Sequence, residues 1–198
     1  TEAELDAAQT AFLHLLVRRN ALRFGSFTLK SGRWSPYFVN TGAFHTGGDL
    51  RRIGDCYARL IAERVGTDID LIFGPAYKGI PLALATATAY EDLLGRPVDW
   101  CYDRKERKDH GDGGDFVGAT PTAGRACVLV DDVLTAGTAL RSSIDKLRPT
   151  GVDLRAAVVS VDRQEPGPDG SDTARTALAA AAGLPDRKST RLNSSHYS

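Results

Sequence analysis

Val128-Leu129-Val130-Asp131-Asp132-Val133-Leu134-Thr135-Ala136-Gly137-Thr138-Ala139 is the stretch on which the reading of this chain turns. The run from Ala126 to Val130 is apolar without alternation and too short for a helix, as in a strand buried on both faces. It delivers two adjacent carboxylates, Asp131 and Asp132. A small-residue loop follows and opens directly into helical spacing over residues 137–147. Main-chain N–H groups at a helix start, with the Thr135 and Thr138 hydroxyls beside them, make an anion site. Gly137 lets the main chain approach that anion closely. The carboxylates suit a sugar diol or a magnesium-bound partner, because they accept hydrogen bonds and offset positive charge. An Asp cap before an ordinary helix is the plain alternative, and the complete run after a continuous apolar strand opposes it.

The same alternation recurs on both sides. Leu71-Ile72-Phe73 leads through Gly74-Pro75 to a helical pattern over 79–94. The run over 98–102 leads to a charged stretch over 103–115, and the run over 156–161 ends at Asp162-Arg163. Before them, Ile53, Tyr57, Leu60, Ile61 and Val65 share one face of a helix over 49–65. Strands alternating with helices predict an α/β fold, a mostly parallel sheet flanked by helices with right-handed crossovers. Ligands of such sheets bind beyond the carboxyl ends of the strands. Those ends carry Gly74-Pro75-Ala76-Tyr77-Lys78, Asp103-Arg104-Lys105, Asp131-Asp132 and Asp162-Arg163, so four polar ends converge on one edge. The N-terminal part reads differently. Leu5, Ala8, Phe12, Leu15 and Leu16 mark an amphipathic helix over 2–19, and short alternating strands over 24–29 and 37–40 flank Ser31-Gly32-Arg33. The expectation is a single domain over 1–185, with a small N-terminal hood over about 1–45 on an α/β core over 46–185.

Composition narrows the function classes. Lys plus Arg equals Asp plus Glu at 25 each. That balance argues against a nucleic-acid protein relying on a strongly basic surface. No apolar run approaches the ~20 residues of a membrane span, and no signal peptide is visible. Cys56, Cys101 and Cys127 are widely spaced among apolar neighbours without zinc spacing, so buried thiols in a reduced, cytoplasmic compartment are expected. His14, His45 and His196 read as structural or surface residues, and Trp34 and Trp100 as packing residues.

The run over 128–139 resembles the phosphoribosyl-diphosphate loop of type I phosphoribosyltransferases. L-R-F-G-S-F-T-L-K-S-G-R-W-S-P-Y-F-V-N-T-G over 22–42 resembles the orotate members of that family. F-G-P-A-Y-K-G-I-P over 73–81, D-R-K-E-R-K-D-H-G-D-G-G over 103–114 and V-D-R-Q-E over 161–165 match the same members in the same order. The similarity runs over about 12–165.

The resemblance implies a type I phosphoribosyltransferase fold and transfer of a 5-phosphoribosyl group from 5-phosphoribosyl 1-diphosphate to orotate, a step of pyrimidine biosynthesis. Asp131 and Asp132 would hold the ribose hydroxyls. Val133, Leu134, Thr135, Ala136, Gly137, Thr138 and Ala139 would form the loop that takes the 5-phosphate. Tyr77 and Lys78, with Arg104, Lys105, Lys108 and His110, would face a diphosphate carrying Mg2+. Lys30 and Arg163 would bind orotate, with Phe38 and Val39 against its ring. Members often carry a second aromatic where Val39 stands. The family pattern also implies a homodimer whose lid loop, Lys105 included, acts in the opposite subunit's site.

Plainer readings stand beside these. Residues 104–110 could form a solvated charge run, although Gly111, Gly113 and Gly114 give them the character of a mobile lid. Arg163 could be a surface residue, and Phe38 could be core. A non-catalytic phosphoribosyl-diphosphate sensor could keep the loop over 131–139 while dispensing with Lys30, Lys105, Lys108, His110 and Arg163. All five are present. The signature over 30–38 opposes a purine phosphoribosyltransferase. Residues 186–198, D-R-K-S-T-R-L-N-S-S-H-Y-S, correspond from Asp186 to His196 to an in-frame translation of a common sequencing adapter. An artefactual tail and an absent natural C-terminus are therefore expected.

Overall fold

A computed structural model describes residues 7–29, 32, 34–106, 114–135, 137–163 and 173–182. Along the chain run α1 (Ala7–Arg18), β1 (Leu22–Thr28), β2 (Trp34–Val39), α2 (Gly47–Arg64), β3 (Leu71–Phe73), α3 (Gly79–Leu94), β4 (Asp99–Asp103), β5 (Phe116–Gly118), β6 (Ala126–Leu134), α4 (Thr138–Leu147), β7 (Asp153–Asp162) and α5 (Ala174–Ala182). A capping box fixes the start of α2. The Thr46 hydroxyl accepts the Asp49 N–H, and the Asp49 carboxylate accepts the Thr46 N–H. Such caps contribute about 1 kcal/mol. Arg19, just past α1, donates to the same carboxylate at 2.6 Å, which ties the N-terminal helix to the core.

The main sheet has the order β5-β4-β3-β6-β7. β3, β4, β6 and β7 are parallel, and β5 pairs antiparallel with β4 at the edge. Along β6, Ala126, Val128 and Val130 join a core with α1, α2 and α3, whereas Cys127 and Leu129 join a second core with α4 and α5. Two-sided burial explains why this strand reads as an unbroken apolar run. Each Leu or Ile buried in these layers contributes about 1.5–3 kcal/mol. The three cysteines are free and buried, with burial pushing the Cys56 thiol up to about 11 and the Cys101 thiol up to about 12.

Several expectations are corrected. β6 does not stop at Val130 but runs through both carboxylates to Leu134, because β7 continues beside it with Asp131 opposite Val159 and Leu134 opposite Asp162. On its other side β3 ends with Phe73 opposite Leu129, so residues 130–134 extend past that neighbour. β5 was not anticipated, because three residues carry no readable period. β1 and β2 form a separate two-stranded antiparallel sheet and begin earlier than the alternation suggested. Trp34 is exposed at its end rather than packed, donating from Nε1 to Ser26 Oγ across the hairpin. Trp100 is half-buried and stacks parallel to Tyr102. The alanine-rich residues 177–182 belong to α5.

Candidate active site

At the carboxyl edge of the sheet Asp132 ties the end of β6 to the loop after β3 and to the turn after the hairpin. Its Oδ2 accepts Lys78 Nζ at 2.9 Å and Thr41 Oγ1 at 2.8 Å, while its Oδ1 accepts the Val133 N–H at 2.7 Å. Lys78 comes from the loop after β3, and Thr41 from the turn joining the hairpin to α2. One carboxylate therefore joins three separate stretches of chain. Asp131 is equally buried and accepts the Asp132 N–H at 2.9 Å. Burial, and the negative charge of Asp132 beside it, push the Asp131 carboxyl up to about 7. Beneath it, the wholly buried Tyr57 of α2 donates from its hydroxyl to the Asp131 carbonyl at 2.8 Å and contacts Ser160 Oγ of β7. A carbonyl can only accept, so the Tyr57 proton goes to Asp131 and Ser160 supplies the other.

Beyond Leu134 the chain turns sharply into α4. Gly137 takes the helix N-cap position at φ +80° and, having no side chain, makes no side-chain cap to the N–H groups that follow. A helix start of this kind, with its first N–H groups uncapped by the N-cap residue, suits an anion. Thr135, Thr138 and Ala139 are exposed around it, while Val133 is half-buried and Leu134 buried. Across the edge, Gly74 and Gly79 bring the loop after β3 hard against the start of α3. A Cβ on Gly74 would stand 2.1 Å from the Gly79 carbonyl oxygen, so no other residue fits. This contact presents Tyr77 and Lys78 as exposed side chains. The Ala76–Tyr77 peptide is cis.

β4 and β5 form the two stems of the charged loop. Asp103 pairs with Phe116, and the Arg104 N–H donates to the Asp115 carbonyl at 2.7 Å. Arg104 is half-buried and Lys105 exposed. The Arg163 N–H donates to the Leu134 carbonyl at 3.0 Å, which places it beside the end of β6. The Nε atoms of Arg104 and Arg163 are buried and lack a hydrogen-bond partner among the described residues. Phe38 packs within the hairpin, 5.6 Å from Phe27, with the Arg23 guanidinium 5.5 Å from its ring centre. Val39 is buried in the main core instead. Adjacent residues of a strand point to opposite faces, so the two side chains do not share one ligand-facing surface. Lys30, Lys108, His110 and Ala136 lie outside the described residues, as does the adapter-like tail.

Thr41, Tyr57, Arg23 and Lys146 were missed from sequence. Thr41 meets Asp132 across 91 positions, and Tyr57 reads as an ordinary apolar position of α2; neither carries a local signal. Asp103 did stand among the polar strand ends, but its partner did not. No group of three or more side chains that could hold a metal ion occurs among the described residues. No helix among them is long and apolar enough to cross a membrane.

A model of the phosphoribosyl transferase domain family matches residues 48–181. The chain is 52% identical over 176 residues to the orotate phosphoribosyltransferase of Thioalkalivibrio sulfidiphilus, covering 89% of this chain and 81% of that one. It is 51% identical over 178 residues to the orotate phosphoribosyltransferase of Xanthomonas axonopodis pv. citri, covering 89% and 80%. Among solved structures, the orotate phosphoribosyltransferase of Francisella tularensis superposes with a TM-score of 0.75 at 40% identity, covering 88% of this chain and 82% of that one.

Proposed function

Because this chain belongs to the phosphoribosyl transferase domain family, among its orotate phosphoribosyltransferases, we propose a division of labour among its residues in the transfer of a 5-phosphoribosyl group to orotate. The reading rests on one observation, the Asp132 carboxylate shared by Lys78 and Thr41. That contact brings the hood, the loop after β3 and the end of β6 to one point. Asp131 and Asp132 take the ribose hydroxyls. Residues 135–139 and the first turn of α4 take the 5-phosphate. Tyr77, Lys78, Arg104, Lys105, Lys108 and His110 face the diphosphate. Lys30 and Arg163 bind the orotate anion, with Phe38 against its ring and Val39 backing the strand from the core. The buried Nε atoms of Arg104 and Arg163 support this, since leaving such a donor unsatisfied costs about 1–3 kcal/mol and an anionic reactant would satisfy it.

The donor set also bears on Mg2+. Two carboxylates with no third ligand grouped with them among the described residues suit a cation that keeps its waters and is held through substrate oxygens. Asp131 and Asp132 are the residues that would lie nearest it, and it would supply charge neutralisation at the diphosphate. Departure of diphosphate leaves an electron-poor sugar and an anionic leaving group. Arg104, Lys105 and Lys78 stabilise that departing charge. Orotate is already an anion and needs no strong base, so orientation and exclusion of water supply much of the acceleration. We place the enzyme in the cytoplasm as a homodimer.

The experiment follows orotate absorbance after adding phosphoribosyl diphosphate and Mg2+. Activity is expected, with Arg163→Ala weakening orotate far more than phosphoribosyl diphosphate through loss of a charge-assisted contact worth roughly 1.5–3 kcal/mol. Asp132→Asn should impair use of the sugar substrate instead. Equal losses for both substrates in both variants would overturn these assignments.

A further inference from the structure

Asp103 ends β4, immediately before Arg104, and is buried. Its two oxygens serve two different elements. Oδ1 accepts the Ala76 N–H at 2.9 Å, from the loop that carries Tyr77 and Lys78. Oδ2 accepts Lys146 Nζ at 2.5 Å, from the last turn of α4. The same ammonium donates to the Arg104 carbonyl at 3.1 Å. Three stretches meet here: the loop after β3, the stem of the charged loop, and the last turn of α4, whose first turn is assigned above to the 5-phosphate. The surface pair Arg155–Asp153, with both side chains nearly half exposed, makes a useful contrast. Such pairs contribute little. In the Asp103–Lys146 pair the carboxylate side chain is only 5% exposed, so its charge needs both donors.

We propose that Lys146 and Asp103 are positioning residues for the transfer reaction. Through Asp103, Lys146 fixes the main chain at Ala76 and Arg104 relative to α4, so that the groups gripping the diphosphate keep a set distance from the site gripping the 5-phosphate. The two residues touch no reactant themselves. The inference rests on the reading of Lys78 and Arg104 as diphosphate ligands.

The test uses the full chain and steady-state kinetics for both substrates, with active-site titration to correct for folded protein. Lys146→Met strands the Asp103 charge and releases the Arg104 carbonyl. It should lower kcat/KM for phosphoribosyl diphosphate about tenfold, within the roughly hundredfold that a 1 Å misplacement can cost, and leave the KM for orotate nearly unchanged. Lys146→Arg, which keeps charge and donors, should stay close to wild type. Asp103→Asn/Lys146→Met keeps an acceptor for Ala76 without a stranded charge, and should recover part of the loss. Lys146→Gln replaces the methionine variant if that one does not fold. Unchanged phosphoribosyl-diphosphate kinetics in Lys146→Met overturns the proposal. So does a loss that titration assigns wholly to inactive protein, or a double variant no better than the single. Arg104→Ala separates the two readings. If it raises the KM for phosphoribosyl diphosphate while Lys146→Met does not, the diphosphate reading stands and the positioning role falls. If Arg104→Ala has no effect while Lys146→Met does, the diphosphate reading of Arg104 falls and the positioning role stands through Ala76 alone.

Discussion

Asp131 carries its negative charge at a cost that pH can reveal. Burial first, and Asp132 second, raise its carboxyl from near 3.8 to about 7. The native chain therefore binds more protons than the unfolded one between those values, and linkage makes stability fall as pH rises through that interval. The contribution is present in full below about 3.8 and gone above about 7. Ribose hydroxyls donate hydrogen bonds and favour the ionised form. Binding of phosphoribosyl diphosphate should then release a proton near neutral pH and tighten as pH rises through 7. Asp131→Asn should abolish the proton release seen by calorimetry in buffers of different ionisation enthalpy. It should also flatten the melting temperature of the free protein across the interval. A wild-type curve parallel to that of Asp131→Asn would contradict the assignment.

The turn from β6 into α4 depends on a glycine for a reason separate from packing. Gly137 sits at φ +80°, where an L side chain costs roughly 1–2 kcal/mol. An added Cβ would also stand 2.9 Å from Leu178 Cδ1 of α5. Leu178 can shift, but the backbone cost remains. Gly137→Ala should lower the melting temperature by a few degrees and raise the KM for phosphoribosyl diphosphate by distorting the first turn of α4. Leu178→Ala added to it should relieve the clash without restoring that KM. Full kinetic recovery in the double variant would show that crowding, and not conformation, made glycine necessary. β6 is steadied from below as well, since Tyr57 donates to the Asp131 carbonyl where β3 no longer runs alongside.

Across the whole molecule, the charged loop leaves β4 and returns through β5 at the free edge of the sheet. Its stems are fixed by pairing, and an edge location suits a lid that reaches a neighbouring copy. If Lys105 acts in the partner's site, Lys105→Ala and Asp132→Asn homodimers should both be nearly inactive. Mixed dimers would hold one doubly damaged site and one intact site. Random mixing makes about half the dimers mixed, so activity should return to roughly a quarter of wild type per chain, as closed two-fold symmetry requires. Absence of recovery after verified subunit exchange would show that the lid serves its own chain.

The sequence alone determined the alternation of strands and helices, the two-faced burial of β6, the helix bounds over 79–94 and the convergence of polar strand ends. Each of these is written in local periodicity, or in a run of residues that supplies its own signal. The pattern of 128–139 likewise specified two adjacent carboxylates on a buried strand followed by a helix start. What pairs with what was decided only in three dimensions. The extension of β6 through Asp131 and Asp132 depends on a long β7 beside it, and the burial of Val39 in place of Phe38 depends on how the hairpin packs on the core. Thr41 on Asp132, Tyr57 beneath Asp131 and Lys146 on Asp103 join residues 43 to 91 positions apart. Hydrogen bonds across such separations leave no period in the chain, because they are made by closing loops and not by repeating a local geometry.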